Sequence, residues 1–305
     1  MTKRGLVLFL ANSFLWGLPF WLSKILLSQF SPETTVFLRS GIGAAFVFCF
    51  TIRSGKLRQV LQHWRWLMIF ALAQMIIPWW LAAHAQQHLP STVVGLMMAL
   101  IPIFSLIFAK FESEFVAISW RRTVGVVLGI LGVAVLVGLD SKSGLISLQP
   151  ILLLVIATVG YAYAPRILNL HLKEVSSTTA VSFILLVSSL AWSIPAIVTW
   201  PHESIRSNVI WAALVLGIPC TGLAFWIFFE LVKEIGPSRT SFLAFTNPMV
   251  AVVVGVRLAH EPISTGLKVG VPMIMLGTYL SISVKRRKKD TTRWKGAELH
   301  DRSAA

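Results

Sequence analysis

Ten apolar stretches follow one another along this chain, near 5–27, 32–52, 66–86, 90–111, 123–139, 148–168, 178–200, 209–232, 238–258 and 266–284. Roughly 20 apolar residues in helical form cross a bilayer, and within lipid a segment must satisfy its backbone hydrogen bonds internally. Each stretch is therefore expected to be a transmembrane helix, and the short connections leave no room for a soluble domain. Composition agrees: 56% of the 305 residues are hydrophobic and 13% charged, with a mean hydropathy of +0.76, too apolar for an ordinary soluble protein. Only 285–305 reads as a solvated basic tail.

The last five stretches repeat the plan of the first five at a displacement of about 146 residues. Ser31-Pro32 corresponds to Ser176-Ser177, Leu89-Pro90-Ser91 to Gly236-Pro237-Ser238, Ile101-Pro102 to Asn247-Pro248, and Gly125 and Gly132 to Gly270 and Gly277. Steady offsets over four landmarks predict a duplication, with one copy in 1–140 and the other in 141–284. Five helices per copy is an odd number, so the second copy enters the membrane upside down relative to the first. The expected fold is all-α and polytopic, with ten transmembrane helices as two inverted five-helix repeats.

A formal charge of +15 raises the question of nucleic acid, and its distribution answers it. With both termini on the cytoplasmic side, 21 lysines and arginines fall on inner segments. Four (Lys142, Arg206, Arg257 and Lys268) fall outside, and Lys24 and Arg39 lie within spans. That is the positive-inside bias, so the basicity is topological and a nucleic-acid partner is not expected. The N-terminal Lys3-Arg4 and its apolar run resemble a secretory signal, but the run lacks a small-residue cleavage site and forms part of the repeat. Cys49 and Cys220, both in predicted helices, imply neither a disulfide framework nor a metal site.

Counting about 1.5 Å per residue places Trp16, its repeat partner Tyr161, Trp79, Trp80, Pro102, Tyr163 and Asn247-Pro248 in the central layer. Here the residues carry a resemblance. FLWGLPFWLSKILLSQFSPETTVFLRSGIGAAFVF, with its aromatic-Trp-Gly stretch, Ser-Pro turn and arginine early in helix 2, is similar to the opening of the EamA family of the drug/metabolite transporter superfamily. TNPMVAVVVGVRLAHEPISTGLKVGVPMIMLG resembles that family's second-repeat signature, a proline in helix 9, a Glu-Pro loop and glycines in helix 10. The first-copy loop Phe111-Glu112-Ser113-Glu114 departs from the usual Gly-Glu form. The resemblance spans about 280 residues. It implies a ten-helix carrier whose cavity is formed mainly by helices 1, 3, 4, 6, 8 and 9, and which exports amino acids or related metabolites.

Within spans, Pro19, Pro78, Pro102, Pro165, Pro219 and Pro248 each remove a backbone donor. Any one of them reads first as a static kink, since prolines are frequent in transmembrane helices. Pro102 and Pro248, at equivalent positions, are the stronger candidates for hinges. Trp64, Trp66, Trp120, Trp200 and Trp211 sit at span ends, where indole prefers the interface. Deeper, Asn12, Trp16 and Pro19 share one helical face, Trp80 shares another with His84, and Trp226 lies one turn from Glu230. These mixed stripes predict an aromatic-lined cavity for a flat or amphipathic solute. Its expected contacts are Trp16, Trp79, Trp80 and Tyr163, with Asn12 and Asn247 giving hydrogen bonds.

Ionisable groups in lipid are costly and draw attention by default. Arg39 has two readings, as anchor for a substrate carboxylate or as a brace bonding free carbonyls. Lys24 is near enough to the outer end to snorkel, and His84 reads as a polar lip or a proton relay. Of twelve acidic residues, Glu230 alone is read as lying within a span. Proton coupling through Glu230 or His84 stays open. Lack of a midplane carboxylate disfavours a strongly cationic substrate and favours neutral or zwitterionic solutes. The sequence holds no HExxH, no paired intramembrane aspartates and no nucleotide loop, so neither an enzyme, a cofactor nor a metal is expected. The expected function is a secondary carrier exporting a small metabolite by alternating access. An uptake carrier, a channel or a membrane scaffold are the rivals.

Overall fold

The computed structural model describes residues 2–56, 58–111, 120–142, 147–235, 240 and 242–282. The basic tail, the Glu112–Glu114 loop and the Gly236-Pro237-Ser238 landmark lie outside the described residues. Among the described residues the chain is helical, and its helices join end to end into ten rods. The first is α1 (Lys3–Gly17) with α2 (Pro19–Leu26), and the second is α3 (Pro32–Ser54). The third joins α4 (Arg58–Ala71) through a π-helical turn, Leu72–Ile76, to α5 (Ile77–Gln86). In the fourth, α6 (Ser91–Met97) passes through a 3₁₀ turn, Met98–Leu100, into α7 (Ile101–Phe111), and the fifth is α8 (Trp120–Lys142). The second half runs α9 (Leu148–His171), α10 (Ser177–Val198), then α11 (Ser207–Gly217), a second π-helical turn at Ile218–Leu223, and α12 (Ala224–Ile235). It closes with α13 (Leu243–Arg257) and α14 (Thr265–Ile282). Six rods are long and apolar enough to cross a membrane, and Ser91–Ser105, Thr123–Leu136 and Leu243–Arg257 are shorter apolar helices.

Local chemistry sets the rod ends. Thr2 caps α1 through its hydroxyl, and Ser31 caps α3 with Pro32 at the first helical position and Glu33 in the first turn. The third rod begins at Arg58, earlier than the apolar stretch from 66, because its first turns are amphipathic and expose Leu61 and Trp64. The interior prolines divide. Pro19 opens α2, Pro78 follows the first π turn, Pro102 follows the 3₁₀ turn and Pro219 lies in the second π turn. Pro165 and Pro248 sit inside unbroken helices. The Pro102 and Pro248 pair is therefore unequal, a break at one and a continuous helix at the other.

Two pairs of counterpart rods, the second with the seventh and the fifth with the tenth, pack on each other and run antiparallel. α3 meets α10 with Ser31 and Thr34 beside Thr199 at one end, and Thr51 beside Ser182 at the other. α8 meets α14 along a glycine seam: a Cβ on Gly277 would lie 2.5 Å from the Gly129 nitrogen, and one on Gly270 would lie 2.9 Å from the Gly132 carbonyl oxygen. Small residues let helix backbones approach where lipid supplies no hydrophobic drive. The remaining six rods, the first, third, fourth, sixth, eighth and ninth, form a ring. α5 packs on α9 as α2 packs on α11, and α13 touches both α6 and α1. Antiparallel pairing of counterparts is the geometry of an inverted repeat.

Candidate functional site

The two π-helical turns are the fold's most telling detail, because they occupy equivalent positions, about 146 residues apart, in the third and eighth rods. A π turn widens the helix and releases backbone groups from the regular ladder, and such turns gather at functional sites. Equivalent neighbours satisfy and seal them. The Trp192 indole donates to the Ile76 carbonyl (3.2 Å), while its counterpart Phe46 packs against Gly222. Gly160 lets α9 approach the first π turn, where a Cβ would lie 2.5 Å from the Ala73 carbonyl oxygen. Asn12, fully buried, donates Nδ2 to the Ala224 carbonyl (2.7 Å) just past the second π turn, and its Oδ1 has no partner among the described residues.

Aromatic rings fill the space between the two turns. Trp16 lies 5.1 Å from Phe225 and 4.9 Å from Phe228, and Trp79 lies 5.9 Å from Phe225, centroid to centroid. Arg39 reaches into this cluster from α3: its guanidinium sits 3.8 Å over the Trp79 ring and its Nε donates to Thr221 Oγ1 at 2.9 Å. The Tyr161 hydroxyl and the Cys220 thiol lie within electrostatic range of the same cation. Trp16, Trp79, Arg39 and Asn12 are thus brought to one centre. Tyr163 is not among them; it is 38% exposed and packs on Phe108, whereas Tyr161, two residues earlier, turns inward. Asn247 is half-buried, with its Oδ1 unpaired among the described residues, next to the Thr246 hydroxyl that bonds Ser13 across α1 and α13 (2.8 Å).

The other singled-out residues lie toward the two ends of the bundle. At the end bearing the N-terminus, Glu230 accepts from Ser177 (2.9 Å) and pairs with Arg4 (3.3 Å), while Glu234 accepts from Thr2 (2.7 Å) and Arg4 (3.3 Å). Lys233 donates to Ser177 (2.8 Å), tying the seventh and eighth rods. Toward the opposite end, Trp80 faces away from Trp79: its indole donates to Glu33 (2.8 Å) and stacks on Trp192 (5.4 Å, 11°). His84 Nε2 lies 3.5 Å from the same Glu33 oxygen. Lys24 pairs with Glu261 (3.2 Å) rather than merely snorkelling. Glu261 also caps α6, accepting from the Ser91 amide and hydroxyl (2.6 and 2.7 Å) and the Thr92 amide (2.9 Å). Burial pushes the Glu261 carboxyl up, but these hydrogen bonds outweigh it and hold the group below the usual carboxylate range.

Sequence reasoning passed over Thr221, Phe225, Phe228, Trp192 and Glu33. Apolar runs give no local sign of which of their aromatics turn toward the centre. A signal for Glu33 does exist in its spacing behind Ser31-Pro32, which puts a carboxylate at a helix N-terminus facing the third span.

Known proteins resemble the chain along most of its length. An uncharacterized transporter of Archaeoglobus fulgidus is 27% identical over 289 residues, covering 92% of this chain and 99% of that protein. The uncharacterized transporter YvbV of Bacillus subtilis is 25% identical over 282 residues, covering 90% of each. The uncharacterized inner membrane transporter YedA of Escherichia coli is 25% identical over 211 residues, 64% of this chain and 65% of that one. A protein of known crystal structure shares the fold, with a TM-score of 0.66 at 16% identity over 92% of this chain and 97% of that one. The profile of the EamA-like transporter family matches twice, at residues 3–138 and again at 148–283. A helical bundle with apolar spans, read twice by one profile, makes this an integral multi-pass membrane transporter, and the chain belongs to the EamA-like transporter family.

Proposed function

We propose that the protein is a secondary carrier that exports small neutral or zwitterionic metabolites, or amphipathic compounds, by alternating access. The observation that carries this reading is the pair of equivalent π turns on either side of one aromatic cluster. Two inverted copies that meet at a deformable midplane exchange roles when one copy adopts the other's shape, and a site between them is then exposed alternately to each side. The copies correspond to 1–140 and 141–284, with 285–305 as a cytoplasmic tail. The 21 to 4 charge bias supports both termini in the cytoplasm, and the E. coli relative supports a bacterial inner membrane. In that orientation the Arg4–Glu230–Ser177–Lys233 network closes the inner face, and Glu33–Trp80–His84 with Lys24–Glu261–Ser91 closes the outer one. The solute is the small-molecule partner and the bilayer the other. Proton coupling is assigned to the His84–Glu33 pair or to Glu230.

Two measurements test this. Extracellular metabolites are compared between cells with and without the gene, and the solute that depends on it is loaded into proteoliposomes. Saturable uptake with counterflow is expected; steady conductance without saturation refutes a carrier, and preferential transport of polyamines over neutral solutes refutes the substrate class.

A further inference from the structure

We infer that Arg39 is the anchor for a carboxylate on the solute, so that within the classes proposed above the carrier selects the zwitterionic and amphipathic molecules that pair a carboxylate with a flat apolar body; this rests on the carrier reading above. Arg39 stands about 10 Å from the near end of α3 by helical rise. No Asp or Glu pairs with it among the described residues. A cation withdrawn from water without a counter-ion is expensive, and it persists where something offsets the cost. Thr221 takes one N–H, at Nε, and the Trp79 ring covers one side of the guanidinium. Neither Nη atom is paired with an acceptor among the described residues, and Arg39 keeps accessible surface although protein surrounds it.

The duplication decides between an anchor and a brace. At the displacement of 146 that relates the two π turns, the position equivalent to Arg39 in the second copy is Leu185, beside Ile184, which the 145 of Ser31 and Ser176 would give and which is equally apolar and buried, and the position equivalent to Thr221 in the first is Met75. Both are completely buried in one apolar cluster. α10 packs on the first π turn as α3 packs on the second, with Trp192 and Phe46 as matching seals. The same junction is therefore built once with leucine and methionine, without a cation. A brace is not what the architecture lacks, and the two open nitrogens match the geometry by which a guanidinium grips a carboxylate in a paired, bidentate contact. Trp16, Trp79 and Phe225 supply flat surface beside it.

The test uses the full chain purified in detergent and three probes with one ring system: indole-3-acetate, indole-3-acetamide and tryptamine. Calorimetric titration is expected to give saturable binding of the acetate alone. Arg39→Gln is expected to weaken it about 10- to 100-fold, with Arg39→Lys in between. The double variant R39L/T221M, which copies the apolar junction of the other half, is expected to remain monodisperse with a wild-type melting temperature and to bind none of the three. The proposal is overturned if the amide binds as well as the acetate, if Arg39→Gln binds the acetate like wild type, or if wild type fails to bind it at millimolar concentration. Unfolding of the double variant would overturn it in favour of the brace. Carboxylate-selective binding without movement in proteoliposomes leaves the site standing and removes the carrier reading instead.

Discussion

At the scale of single residues, the central cluster depends on contacts whose removal should be read separately in binding and in closure. Trp16→Ala strips two ring contacts from Phe225 and Phe228. A solute ring that stacks on Trp16 gains about 0.5–1.5 kcal/mol from one such pair, so its loss is expected to raise KM about 2- to 13-fold while membrane insertion stays normal. Trp80→Ala removes a different thing, the donor to Glu33 and the plate under Trp192. It is expected to lower the transport rate with little change in binding of the solute by the detergent-purified protein. Equal transport by both variants and wild type refutes the roles given to them. Residue identity was legible here more often than residue direction. Trp79 and Trp80 are adjacent and equally deep, yet a helix turns about 100° between them, sending one to Arg39 and the other to Glu33. Two such steps, about 200°, separate Tyr161 from Tyr163.

At the scale of elements, the apolar helices were legible because lipid imposes a length and a polarity on every helix that crosses it. The π turns were not, since one extra residue in a turn leaves apolar composition unchanged and only slips the phase of the helix. Proline was a partial guide: Pro219 lies within one π turn and Pro78 just after the other, while Pro165 and Pro248 disturb nothing visible. Removing the extra residue is the direct test. Deleting Cys220 should draw Ile218–Leu223 toward a regular α-helix and swing Thr221 away from Arg39. The protein is expected to insert and to lose transport by more than about 90%, as measured by membrane yield and counterflow. Deleting Ala73 in the equivalent turn is expected to do the same. Full activity in either deletion removes the π turns from the mechanism.

At the scale of the whole molecule, duplication and charge bias were readable because both are sums over many residues. The ties between distant segments were not, and Glu261 is the clearest case. Its Glu-Pro loop was recognisable, but its reach to Lys24, Ser91 and Thr92 joins segments about 170 to 237 residues apart. A carboxyl held low in the folded state contributes stability that is complete above its unfolded value and is lost as pH falls through its folded value. Wild type is therefore expected to melt about 2–6 °C above Glu261→Gln near neutral pH. The gap is expected to close on the acid side, below the usual carboxylate range. Melting curves of both proteins across pH check this, and a gap that widens toward acid reverses the sign of the argument.

The seam between α8 and α14 has a consequence for anyone who maps tolerance to substitution. Where Gly277 meets Gly129 and Gly270 meets Gly132, even one methyl group collides with backbone, which cannot swing aside as a side chain does. Gly277→Ala is expected to cut the yield of folded protein, and a larger residue to abolish it, with no solute involved. A saturation scan would therefore display a row of forbidden positions along this seam as sharp as any at the centre. Intolerance to mutation in this molecule marks two unlike things, the place where backbones touch and the place where cargo is held, and only a binding measurement tells them apart.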